Sequence, residues 1–255
     1  MPSNTTTEAA TFSKIPFWSN QIKAIGVIRK YLNAFHNGTT SRASLVQMPT
    51  GSGKSAVITA AIHFLKKSKC VLVLTPRKAL RDQLAQDIGG KFFSKFDLHL
   101  SNNHKKVHNI QSGFKNFSDI SYDKKEVFVM TIQLFQNWKN SENVVQTNLL
   151  DEVDTIIVDE GHYEPAMSWG NTIRSMNKPK IILTATPFRN DLKCFDIDIN
   201  YAYCYSHCEA ERDNIIRSVE VIPKPHPNNA PDFINEILDI YNQKIHDIEF
   251  SEGED

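Results

Sequence analysis

Met48-Pro-Thr-Gly-Ser-Gly-Lys-Ser55 stands between an apolar run, Ser44–Met48, and a segment with helical spacing, Lys54–Lys67. Two glycines, a lysine and a serine at a strand-to-helix junction predict a phosphate-binding loop built from Pro49, Thr50, Gly51, Ser52, Gly53, Lys54 and Ser55. Gly51 and Gly53 let the backbone wrap an anion where a Cβ would clash. The amides from Gly51 to Ser55 then point inward, at the positive end of the following helix. Lys54 supplies a point charge to β- and γ-phosphates, and Ser55 can supply a hydroxyl to Mg²⁺. The strict pattern has glycine where this chain has Met48, but the two glycines nearest the phosphates remain.

Working outward, Thr155-Ile-Ile-Val-Asp-Glu-Gly-His162 ends a second apolar run with two carboxylates. Ligands of open α/β sheets lie at the carboxyl ends of the strands, so Asp159 and Glu160 are expected to meet the phosphate loop there. Asp159 would hold Mg²⁺ through water. Glu160 would orient the attacking water or take its proton.

Further runs at Cys70–Thr75, Val127–Ile132 and Ile181–Thr184 suit strands buried on both faces. Helical spacing appears at Asn20–Phe35, at Lys54–Lys67 and around Leu80, Leu84 and Ile88. The alternation predicts an α/β fold, a mostly parallel sheet sandwiched by helices. Residues 89–125 are polar, basic and aromatic with weak periodicity, and read as an irregular surface excursion. Its phenylalanines (Phe92, Phe93, Phe96, Phe114, Phe117) could stack bases between lysines, but anchoring to the core is the favoured reading. Later segments read as a strand at Asn200–Tyr205, a helix at Ser206–Arg217, a strand at Val219–Ile222, a proline-punctuated linker and a helix at Asp232–Lys244.

The 255 residues carry 29 basic and 29 acidic side chains, and the balance is uneven along the chain. Residues 1–125 hold 19 basic and 6 acidic groups, whereas residues 126–255 hold 10 and 23. A basic half keeps a polyanion partner open that the zero average would argue against. With 40% hydrophobic residues the chain can bury a core. No apolar run is long enough for a membrane helix, and the N-terminus does not resemble a secretory signal. Four cysteines do not make a disulfide framework, so a cytoplasmic setting is expected. Cys194, Cys204, His207 and Cys208 can be drawn as a zinc site, but their spacing is not that of the usual pairs.

In six ordered segments the chain resembles superfamily 2 helicases and translocases. The likeness is to their first RecA-like lobe, closest to the type III restriction subunit-like branch of the DEAD/DEAH-box proteins. It runs from Phe17 to Arg189. The resemblance implies that Gln21 reads adenine. Leu74-Thr-Pro-Arg-Lys-Ala-Leu-Arg81 and Met130-Thr-Ile-Gln133 resemble segments that touch nucleic-acid backbone, through Thr75, Pro76, Arg77, Thr131 and Gln133. Asp159-Glu-Gly-His162 resembles a DExH box, which adds His162 to the catalytic set. Leu183-Thr-Ala-Thr-Pro-Phe-Arg189 resembles the segment that couples ATP state to nucleic-acid grip, through Thr184, Ala185 and Thr186.

The implied organisation is a flexible tail at 1–14, a helicase ATP-binding lobe at 15–205, and a connector with an acidic end at 206–255. The family completes its ATP site with arginines from a second RecA-like lobe, and nothing after residue 190 resembles those segments. The expected activity is therefore nucleic-acid-dependent ATP hydrolysis, more on DNA than on RNA, slow without that second lobe. A sensor or scaffold that binds ATP and nucleic acid without moving is the other reading; the intact Lys54, Asp159 and Glu160 favour the motor. A small-molecule kinase would leave Thr184-Ala-Thr-Pro187 and Thr131-Ile-Gln133 unexplained.

Overall fold

Strands rich in Val, Ile and Leu are buried on both sides only when helices cover both faces of the sheet. The computed structural model describes residues 14–64, 69–98, 105–115, 117–120, 125–141, 143–161, 173, 176–186, 196–218 and 230–251. Among them are seven strands: β1 (Ala43–Gln47), β2 (Cys70–Thr75), β3 (Lys106–Asn109), β4 (Glu126–Thr131), β5 (Thr155–Val158), β6 (Lys180–Thr184) and β7 (Ile197–Cys204). They form one sheet in the order β3-β4-β2-β5-β6-β1-β7, and every pairing is parallel. The helices of six residues or more among them are α1 (Ser19–His36), α2 (Lys54–Phe64), α3 (Lys78–Gln86), α4 (Ile132–Lys139), α5 (Val144–Glu152), α6 (His207–Arg212) and α7 (Ala230–Ser251). The expected α/β class, a parallel sheet between helices, is what the chain adopts.

Alternation along each strand sorts the core into two layers. Val71, Val73, Val127, Val129 and Ile157 face a cluster with Ile28 of α1, Ile58 of α2 and Leu84 of α3. Leu72, Leu74, Phe128, Met130 and Ile156 face a second cluster with Phe135 of α4 and Leu149 of α5. Because all strands run the same way, their carboxyl ends share one edge. The segments that leave β1, β2, β4, β5 and β6 there carry the phosphate loop, Arg77, Gln133, Asp159 with Glu160, and Thr186. In sequence β1 leads to β2, yet β5 and β6 lie between them in the sheet.

The described part of the excursion at 89–125 carries more regular structure than its composition suggests. Strand β3 lies inside it and pairs with β4, Lys106 opposite Glu126 and Asn109 opposite Val129. Its sequence, Lys-Val-His-Asn, has one apolar residue and so no hydrophobic run to reveal it. A buried contact fixes it instead: His108 Nε2 lies 2.6 Å from Glu126 Oε2. Ahead of it, a π-helical turn (Asp87–Lys91) passes through Gly90 at φ 137°, a backbone that favours glycine. That bend turns Phe92 and Phe93 inward, where both are buried. Phe96 packs partly buried beside them, and Phe114 and Phe117 against the second layer. Anchoring, not base stacking, accounts for these five rings.

The predicted helix over 206–217 stops at Arg212. Asn214 then takes φ 55°, and Ile215 N–H donates to Ala210 O, turning the chain back on the sheet. Two compact units result, residues 1–217 and 218–255. The second contains α7, which begins before and ends beyond the predicted Asp232–Lys244. No helix among the described residues is long and apolar enough to cross a membrane. Residues 1–13, the strand predicted at Val219–Ile222 and the linker prolines 223, 225 and 227 lie outside the described residues.

Candidate phosphate-binding site and nucleic-acid edge

The loop between β1 and α2 is shaped by its glycines. Gly51 and Gly53 sit at φ 86° and 83°, in the left-handed region. Ser52 Oγ donates to Pro49 O at 2.7 Å and tightens the turn. Lys54 is buried, and its ammonium donates to Met48 O (3.3 Å) and Pro49 O (3.5 Å) while pairing with Glu160 Oε1 at 3.4 Å. The loop, the lysine and the carboxylates therefore meet, as the strand-end argument expects.

Gln21 reaches this loop from α1. Its Oε1 accepts from Trp18 N–H at the start of the helix, and its Nε2 lies 2.2 Å from where a Cβ on Gly53 would stand. Gly53→Ala must displace that amide and hold alanine at a positive φ. We expect it to lower stability by about 1–3 kcal/mol and to weaken ATP binding. A thermal melt with a nucleotide titration checks both; unchanged values would show that Gln21 yields freely.

Asp159 directly follows β5, its N–H donating to Leu74 O at 2.9 Å. Its carboxyl is buried and pushed up to about 7, first by burial, then by Glu160, with Lys54 opposing. Oδ1 has no hydrogen-bond partner among the described residues. A buried, partnerless carboxylate oxygen next to the phosphate loop fits the cation that travels with ATP, so Ser55 and Asp159 suit Mg²⁺. Glu160 follows at φ 52°, a strained backbone for a non-glycine residue. His162 lies outside the described residues.

These groups line a cleft of about 270 Å³, with Leu80, Gln83 and Leu84 of α3 as its opposite wall. Sequence reading passed over that wall. It also missed two neighbours of the loop: the exposed ring of Trp18 beside Gly53, and Ile216, whose Cγ2 lies 3.5 Å from a Cβ position on Gly51. Trp18 could have been found from its place three residues before Gln21. Nothing local marks Ile216.

The segments after β2 and β4 are neighbours, since Thr75 and Thr131 pair in register. Pro76 is half-buried beside Arg77, which is exposed and extended at the head of α3; Arg77 O accepts from Thr75 Oγ1 at 3.2 Å. Thr131 caps α4, its Oγ1 accepting from Leu134 N–H, and leaves Gln133 exposed on the first turn. After β6, Thr184 O accepts from Met48 N–H, and Thr184 Oγ1 bonds Thr186 O at 2.7 Å across half-buried Ala185. That segment thus touches the residue opening the phosphate loop. Cys194 lies outside the described residues. Among the described residues no three His, Cys, Asp or Glu gather to hold a metal.

Residues 14–189 match the family model described as "Type III restriction enzyme, res subunit". No curated protein matches. Among solved structures, a nuclease-deletion mutant of the Type ISP restriction-modification enzyme LlaGI, in complex with a DNA substrate mimic, is similar at 18% identity and TM-score 0.51. The likeness covers 79% of this chain and 21% of that one. The UvsW helicase from bacteriophage T4 is similar at 20% identity and TM-score 0.43, over 68% of this chain and 54% of that one. The SWI2/SNF2 ATPase core of Sulfolobus solfataricus, in complex with dsDNA, gives 20% and 0.43, over 68% and 33%. The chain thus spans about half the length of the UvsW chain and a fifth of the LlaGI chain.

Proposed function

The chain belongs to the family of type III restriction enzyme res subunits, and on that premise we propose that it is the ATP-binding RecA-like lobe of a nucleic-acid-dependent ATPase, a helicase or translocase. The observation that carries this reading is the meeting of Lys54 and Glu160 across 3.4 Å, with Asp159 beside them. These three groups come from two separate strand ends and converge on one cleft lined by the phosphate loop.

Phosphoryl transfer needs positioning and charge neutralisation more than covalent help from the protein. The loop amides and Lys54 hold the phosphates of ATP, and Gln21 lies against the loop where the base would extend. Bound Mg²⁺ would supply charge neutralisation at the phosphates. Asp159 and Ser55 would hold it. Glu160 orients the attacking water, its strained backbone aiming the carboxylate into the cleft. A second RecA-like lobe, in the same parent chain or in another subunit, would supply arginine from across the cleft. Cys70, Cys204 and Cys208, none of them in a disulfide, suit a reducing compartment such as the cytoplasm.

Nucleic acid would cross Thr75, Pro76, Arg77, Thr131 and Gln133. Hydroxyls, amides and one guanidinium at adjacent strand ends can grip phosphates without reading sequence, as a motor requires. Thr184-Ala-Thr186, bonded to Met48, would relay the state of the loop. The family's restriction-enzyme description favours DNA over RNA. Arg77→Ala should weaken binding to single-stranded DNA and flatten the log–log salt dependence by about 0.7, one phosphate contact. Fluorescence anisotropy between low and moderate salt measures both quantities. If neither changes, Arg77 is off the track.

A further inference from the structure

One buried charge near the strand ends has no part in the chemistry above. Arg81 of α3 is nearly inaccessible, with its side chain 6% exposed. Its Nε (3.0 Å) and Nη2 (2.7 Å) both donate to Asp82 Oδ1. The same oxygen accepts from Asn109 Nδ2 at 2.7 Å. Asn109 is the last residue of β3, the edge strand that has β4 as its partner in the sheet. On the other side, Arg81 N–H donates to Arg77 O at 3.1 Å, and Thr75 Oγ1 bonds the same carbonyl. An unbroken series of hydrogen bonds therefore runs from the end of β2, through Arg77, Arg81 and Asp82, to the end of β3.

We propose that Asp82 is a positioning residue for nucleic acid: it clamps Arg81 to Asn109 and so fixes the head of α3, with Arg77, against the edge of the sheet. The inference rests on the reading of Arg77 as a phosphate contact. Buried Ile110, its N–H donating to Val129 O, holds the end of β3 to the sheet, and the shared carboxylate oxygen ties that fixed end to α3. The bonds from Asn109 and then Arg81 hold the Asp82 carboxyl below the usual carboxylate range, so it stays charged as an acceptor.

The sign of the effect separates this role from plain electrostatics. Deleting a negative charge beside a polyanion track tightens binding when charge alone matters. Positioning demands the opposite: Asp82→Ala leaves a buried guanidinium and an amide without their acceptor and loosens Arg77. In the 255-residue chain, with a fluorescein-labelled single-stranded oligodeoxynucleotide as probe, we expect Asp82→Ala and Asn109→Ala each to weaken binding about threefold to tenfold. Combined with Arg77→Ala, Asp82→Ala should add nothing, because the contact it positions is already gone. Affinity for a fluorescent ATP analogue should stay unchanged in both. Asp82→Asn, which keeps an oxygen for Asn109, should recover part of the loss, and with Asn109→Ala it carries the test if Asp82→Ala does not fold. Unchanged or tighter binding by the Asp82 variants, with Arg77→Ala still weak, overturns the clamp and leaves the track standing. Normal binding by Arg77→Ala overturns the track reading, and the clamp with it.

Discussion

Lys54→Ala should cost the chain most of its affinity for ATP, about 2–4 kcal/mol, or roughly 30- to 1000-fold in the dissociation constant. Two losses combine in this variant. The cation that meets the β- and γ-phosphates goes, and it is buried at 9% exposure, where water screens it little. The remaining site is also of the wrong sign: Asp159 and Glu160 lie side by side, and Lys54 is the cation that opposes the push on Asp159. A polyanion then faces two carboxylates with no ammonium between them. Titrating a fluorescent ATP analogue with Mg²⁺ present measures the loss. Glu160→Gln is the contrast: it keeps Lys54 and the loop, and removes the carboxylate that now shares the ammonium at 3.4 Å. Its affinity should equal or exceed that of the parent chain. Equal ATP affinity in the parent chain and Lys54→Ala would take the loop out of the site.

How far this was legible depended on whether the cause was local. The phosphate loop is one contiguous stretch, Pro49 to Ser55, whose chemistry needs no partner, and Gly51, Gly53 and Lys54 can be read at sight. Strands β2 and β5 were also placed to the residue, because runs of four to six β-branched or apolar side chains leave little choice between two layers of helices. Strand β3 has no such signature. Its place depends on β4, whose Glu126 meets His108 from 18 residues away. The cleft wall of Leu80, Gln83 and Leu84 was hidden for a similar reason: the spacing announces a helix, and only the topology says what that helix faces. Ile216 is the extreme case, brought to Gly51 by the left-handed turn at Asn214. Sequence thus carried the reacting groups well and the surroundings that orient them poorly. The Asp82 clamp belongs to the second kind, since Asn109 lies 27 residues away from its acceptor.

Hydrolysis by the 255-residue chain alone should be slow, below about 0.01 per second, the range of nucleotide hydrolases that lack full arginine assistance. Among the described residues that line the cleft, Lys54 is the one cation against Asp159 and Glu160. That balance suffices to seat MgATP but leaves the charge that builds on the transferred phosphoryl group short of a donor. An arginine reaching in from a second lobe is worth about 10³–10⁵ in rate, roughly 4–7 kcal/mol of transition-state stabilisation. A single-turnover assay with γ-labelled ATP, on the chain and on a longer protein that joins it to a second RecA-like lobe, should show a gap of that size. DNA should raise the longer protein's rate much more than the chain's. Turnover near one per second by the chain alone would place the missing cation within these 255 residues. The residue to replace would then be Arg217: it is exposed and directly follows Ile216, whose side chain lies against the phosphate loop. Arg212 is the weaker choice, since it already stands 3.7 Å from Asp213.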